Sequence, residues 1–204
     1  MKDLNAVIGN PEFVKSHVVL RVINTDRNRE YLKGKPHKDF LDLSAILEID
    51  ISEFIGQGAM CVLQDSNIGD LSTDELFAAA MENEKIVYDS LMNTLLAITG
   101  ETGNKEDLRD AMGIVVTKPD KLHGASAILH NDTLKEIADI YDDDLVICPS
   151  SIHEIICLPA STHTNNRDMI DIVKSINATE VQDGDFLSNN VYYYDRATNE
   201  VEFM

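Results

Sequence analysis

Tryptophan is absent from this sequence, and only five prolines, ten glycines and three cysteines occur in its 204 residues. So few prolines and glycines, with no internal repeat of fixed period, exclude a low-complexity linker or a repeat array. Cys61, Cys148 and Cys157 are odd in number and sit inside apolar runs, which reads as reduced core thiols and not a disulfide framework. No segment approaches the roughly 20 apolar residues that span a bilayer. Basic residues are scarce, 17 against 36 acids, for a net charge of −19. That balance repels phosphates and anionic lipid, so direct nucleic-acid binding and membrane binding are not expected. The start, "MKDLNAVIGN", lacks the apolar stretch of a signal peptide, and the expected location is cytoplasmic.

Several motifs are missing as well. Neither G-x-G-x-x-G nor G-x-x-x-x-G-K-[ST] occurs, so no nucleotide-phosphate loop is read and no cofactor is expected. C-x-x-C is absent. "YDDDL" (141–145) bunches three acids but lacks the spaced loop of a calcium site and reads as a solvated helix end. "VYYYD" (191–195) has no basic neighbours and reads as a core strand with one exposed ring, not a base-stacking platform.

What is present is core material: 44% of residues are apolar. "FVKSHVVLRVIN" (13–24) reads as a strand, followed by a polar helix or turn that Pro36 ends. "FLDLSAILEIDI" (40–51) alternates with a period of two, which predicts one buried and one mostly wet face, and "GAMCVLQD" (58–65) is its hairpin partner. Ser72 and Glu75 fit a capping box ahead of a helix with Leu76, Phe77, Ala80 and Met81 on one face. A second helix is expected over 87–98, with Leu91, Leu95 and Ile98 on one side. The loop at 99–112 offers a possible subdivision of a chain otherwise read as a single domain, 1–204. Strands are expected at 113–118 and 124–130, a helix capped by Asn131, and strands at 144–151 and 152–159 around a Pro149–Ser151 turn. A helix capped by Thr164 or a following asparagine comes next, then a hairpin over 190–203. Hairpins alternating with helices define an α+β class, with a mixed or largely antiparallel sheet and helices packed on one side.

One basic gathering interrupts the acidic sequence: Arg21, Arg27, Arg29, Lys33, Lys35 and Lys38, opposed by Asp26 and Glu30. It could hold an anion, but a solvated helix and loop is the plainer reading.

"CPSSIHEIICLP" (148–159) carries the candidate chemistry. "HEIIC" imitates the H-E-x-x-H of zinc hydrolases, with Cys157 in place of the second histidine. That motif needs a helix. Pro149, Pro159 and the β-branched isoleucines favour a strand, on which His153 and Cys157 stand about 13 Å apart, too far for one ion. No metal site is therefore expected. A nucleophile reading asks Ser150 or Ser151 to be activated by His153 and oriented by Glu154. The plainer reading is a polar brace at a tight turn.

"LRVINTDRNREYLKGKPHKDFLDLSAIL", "STDELFAAAMEN", "GASAIL", "DLVICPSSIHEIICLPA" and "LSNNVYYYDR" resemble, in order and spacing, a bacterial family catalogued only as a domain of unknown function, with "PSSIHE" its most specific piece. The resemblance runs from about Val14 to Arg196 and implies a shortened member that lacks an amino-terminal region. The sequence departs from the family at "NIGDLSTDEL" and "ENEKIV". Members often lie near mobile elements, which implies a regulatory or anti-defence role. Three readings stay open: an interaction module whose partner is another protein, an acidic mimic of nucleic acid, and a hydrolase using the Ser150, Ser151, His153 and Glu154 corner. Oligomeric state is not legible.

Overall fold

A computed structural model describes residues 8–101, 107–163 and 165–204. It is an α+β protein with two antiparallel sheets. The chain divides into two compact units, Met1–Lys85 and Ile86–Met204. The loop at 99–112 lies partly outside the described residues.

In the first unit, Asn10 caps helix α1 (Pro11–His17) by accepting the amides of Glu12 and Phe13. The letters over 13–24 suggest a strand, yet residues 13–17 belong to this helix. Proline in the first turn and an asparagine cap outweigh the β-branched run, which begins its strand, β1, only at Val18 (Val18–Asn24). A 3₁₀ turn and a short helix α2 (Arg29–Leu32) lead to β2 (His37–Phe40) and β3 (Leu43–Asp50). The expected single strand over 40–51 is broken at Leu41, whose φ of +56° begins a two-residue turn between the paired Phe40 and Leu43. A short helix α3 (Ser52–Ile55) precedes β4 (Met60–Val62), which pairs with β3 as the hairpin reading expected.

Strand β3 is the centre of this sheet. All of β1 lines one edge, while β2 and β4 share the other. Consequently both its faces are shielded, and Ser44 and Glu48 are buried along with the apolar residues. The expected wet face does not exist here, because Leu32 of α2 packs onto Ile46, with Ile23 and Val62 beside it on the same face. Glu48, 1% exposed, faces Arg21 Nη1 at 3.4 Å. On the other face helix α4 (Thr73–Asn83) packs with Leu76, Phe77 and Ala80 inward, started by the Ser72–Glu75 capping box.

The second unit has a six-stranded sheet. Its strands are β5 (Val87–Ser90), β6 (Ile114–Thr117), β7 (Leu145–Ser151), β8 (Glu154–Pro159), β9 (Tyr192–Asp195) and β10 (Glu200–Phe203), in the spatial order β10-β9-β7-β8-β6-β5. Val87–Ser90 was expected to be helix. Those residues pair with β6 instead, and Ser90 caps the helix α5 (Leu91–Thr99) that follows. "GASAIL" was expected as a strand. It is a buried 3₁₀ helix, Gly124–Leu129, leading into α6 (Asn131–Tyr141), whose cap position is His130 and not Asn131.

Register places Ile114, Cys157, Ile147 and Tyr192 in one row across the sheet, with Val116 and Ile155 beside it. These residues lie beneath the 3₁₀ segment and α6. The alternate row carries Val146, Cys148 and Leu158, which pack with Val173 and Met169 of α7 (Asn166–Thr179). Helices therefore cover both faces of this sheet and not the one side expected, because both rows of its central strands are apolar and must be buried. Asn165 caps α7; Thr164, the other capping candidate, lies outside the described residues.

Candidate functional site

The β7–β8 hairpin brings the sequence candidates to one corner. Ser151 pairs with Glu154, so Ile152 and His153 form the turn, and the register slips between Pro149 and Ser151. The turn thus comes two residues later than Pro149 suggested. The bulge absorbs the proline, and the small hydroxyl residues sit on the strand. His153 stands at the tip, outside the strand.

The hydroxyls are spent locally. Ser150 Oγ donates to Glu154 Oε1 at 3.3 Å, and Ser151 Oγ accepts the His153 amide at 3.0 Å. The imidazole points elsewhere. Its Nδ1 accepts the His123 amide at 3.2 Å, and its Nε2 lies 3.4 Å from Asp185 Oδ1. An acceptor Nδ1 means that the neutral ring carries its proton on Nε2, toward Asp185. The His123 ring stacks on it, centroids 5.6 Å apart. Thr117 Oγ1 donates to the His153 carbonyl at 2.7 Å, and the Ile152 amide donates to the Asp185 carbonyl at 2.9 Å.

Two distant segments therefore meet on this turn: the end of β6 with the loop that runs on to Gly124, and the loop at Asp185. Gly124 permits the approach, since a Cβ there would stand 2.4 Å from Thr117 Oγ1 and 2.5 Å from the His153 carbonyl. The arrangement can brace a turn. Proton relay from either serine would need the ring nitrogens to leave their present partners. Among the described residues no group of His, Cys, Asp or Glu could hold a metal ion. Cys148 and Cys157 fall on opposite faces of the sheet. Burial pushes the Cys148 thiol up to about 12 and Cys157 further still.

A second polar cluster was read as solvent-facing. Only Asp142 of "YDDDL" fits that reading, and even it takes the Arg196 Nη1 at 2.6 Å. Asp144 accepts the Tyr193 hydroxyl at 2.5 Å and the Arg196 amide at 2.8 Å. That bond first, then burial, pushes the Tyr193 phenol up to about 12. Burial raises the Asp143 carboxyl, but bonds from Ser161 and the Asp144 amide outweigh it and leave it low. Asp142 and Asp144 thus clasp the terminal hairpin, while Asp143 holds the start of the segment after β8. The basic segment is similarly committed: Arg29 to Asp26, Lys33 to Glu30, Lys38 to Asp74, and Lys35 over the Tyr31 ring.

The unexpected surface is α5. Leu91, Leu95 and Ile98 were expected on one side of it; Leu95 and Ile98 are 47% and 69% exposed, and Met92 beside them is 52% exposed. Beside it runs a groove of about 320 Å³ floored by Val115 and Thr117 of β6, with Val87, Thr94, Ala97, Ile98, Lys121 and Glu154 among its walls. Register gives the floor: Val87, Asp89, Val115 and Thr117 share one face of the sheet edge.

Fold and corner together define an α+β protein of two antiparallel sheets with a braced hairpin turn. The chain belongs to a family of unknown function (DUF5688), whose model matches residues 4–196. No curated protein and no solved structure matches it. No helix among the described residues is long and apolar enough to cross a membrane.

Proposed function

We propose that this chain is a non-enzymatic interaction module, that its contact surface is the outer side of α5 with the adjoining groove, and that its partner is another protein. The exposed Met92, Leu95 and Ile98 carry the reading. They recur at every third position along a helix with no charged residue, and an apolar stripe left in water marks a contact surface. Charge selects the kind of partner. The second unit holds 21 acids against eight Lys and Arg, so a second copy would bring like charges together. An amphipathic helix with a leucine stripe and basic flanks meets both the apolar side and the surrounding field.

A short helical peptide of leucines and lysines in that pattern is the probe. The protein should bind it, and the double variant L95S/I98S, whose net charge is unchanged, should bind at least about tenfold more weakly, as lost anchors do. Equal affinity of the two proteins would show charge attraction alone and overturn the reading, as would a dimer of the wild type that L95S/I98S dissolves.

A further inference from the structure

The corner at His153 has a property that bracing alone does not require. Its Nδ1 holds the His123 amide only while that nitrogen carries no proton. Imidazole is the side chain that changes charge between about pH 5 and 8. We propose that His153 is a proton-sensitive latch. With Nδ1 unprotonated, it holds the segment 118–124 against the β7–β8 turn. With Nδ1 protonated, two N–H donors face each other and the His123 amide is released, while Thr117 and Ala125 on either side keep their bonds to the His153 and Ile152 carbonyls.

The charged and titratable groups around the turn come from three directions. The segment after β6 carries Lys118, Asp120, Lys121 and His123. The loop at 182–185 brings Asp183 and Asp185, and the turn itself has Glu154. Nearest are the His123 ring and Asp185 Oδ1. Protonation strengthens the attraction to Asp185 but sets a charge against the stacked His123 and cancels its amide bond. The turn therefore keeps its hold on the Asp185 loop while losing the His123 amide. Strain is already present on the side that lets go, since Lys121 and His123 adopt φ of +59° and +54°.

Lys121 and Glu154, beside the two latch partners in sequence, both wall the groove next to α5. Release would move one wall. This consequence rests on the docking reading; the latch itself does not.

Amide hydrogen exchange followed by NMR tests the latch without any partner. From pH 8 to pH 5 the His123 protection factor should fall roughly fivefold to tenfold, the effect of one net hydrogen bond. At pH 8 the His153 ring should be the Nε2–H tautomer. In H153N, whose amide oxygen can replace Nδ1 but cannot take a proton, protection should not change with pH. An unchanged His123 protection in the wild type, an Nδ1–H ring at pH 8, or the same pH response in H153N would each overturn the proposal. Binding of the leucine–lysine peptide at the two pH values separates the readings. If the latch opens and affinity stays the same, the latch stands and its link to the groove is lost.

Discussion

The Tyr193 hydroxyl and the Asp144 carboxylate are 2.5 Å apart, although 49 residues separate them in the chain. This one bond ties the terminal hairpin to the end of α6, and the same carboxylate takes the Arg196 amide. A donor bonded to a charged acceptor is stronger than a neutral pair.

Tyr193→Phe should cost about 1.5–3 kcal/mol in urea unfolding, the range for a hydrogen bond to a charged group. A double-mutant cycle with Asp144→Asn should show the two changes to be non-additive. The pH dependence has a definite sign. The folded-state phenol is raised to about 12, against an ordinary value of 10.0, so its contribution is complete below about pH 10 and is lost as pH rises through about 12. Tyr88, raised to about 12 by burial and by Glu136, behaves the same way. Tyrosinate absorbance should therefore show late-ionising phenols in the native protein, one fewer in Tyr193→Phe.

Gly124→Ala should destabilise the protein by about 1–3 kcal/mol, as overpacking does. The added methyl meets Thr117 Oγ1 but also the His153 carbonyl and the Lys118 amide at 2.6 Å. Adding Thr117→Ala should therefore fail to restore stability, because the two backbone atoms remain. Thermal unfolding of the single and double variants decides it; full rescue would place the clash on the side chain alone.

Arg21→Met should cost about 2–3 kcal/mol, less than breaking a fully enclosed pair because Arg21 keeps some contact with water. Its partner Glu48 is buried in the middle strand and cannot be resolvated in place. The double variant Arg21→Met with Glu48→Leu should recover most of the loss. Chemical denaturation of the three proteins checks the cycle.

Thiol titration should separate the cysteines. Cys157 is fully buried and Cys148 is pushed up to about 12, so neither offers thiolate at neutral pH. Cys61 is also raised, by burial and then by the Glu48 charge. A disulfide-exchange reagent should label the native protein slowly and reach three thiols only after denaturation. Rapid native labelling of Cys157 would contradict the packing of β8.

Local signals made much of the architecture legible. The Ser72–Glu75 box starts its helix, α6 has its apolar residues where spacing put them, and the two β-rich stretches at 145–159 pair as a hairpin. Failures had local physical causes too. Asn10 and Pro11 begin a helix where β-branched residues suggested a strand. Leu41 turns the chain in what looked like one continuous strand. "GASAIL" has the letters of a strand, but Gly124 must come so close to Thr117 and His153 that the segment coils.

The site was less legible. Ser150, Ser151, His153 and Glu154 are neighbours in sequence and do share a corner. Their actual partners, His123 and Asp185, lie 30 residues before and 32 after His153, with no motif to announce them. Only Gly124 hinted at a close approach.

By itself the sequence determined the α+β class, the starts of α4 and α7 and the β3–β4, β7–β8 and β9–β10 hairpins, because capping, periodicity and turn chemistry act over a few residues. Only the tertiary structure decided that β3 is shielded on both faces, that Asp142 and Asp144 clasp a hairpin, that His153 faces His123 and Asp185, and that α5 keeps its apolar side in water. Each of these depends on which distant segment fills the space beside a residue, and that is set by the packing of the whole unit.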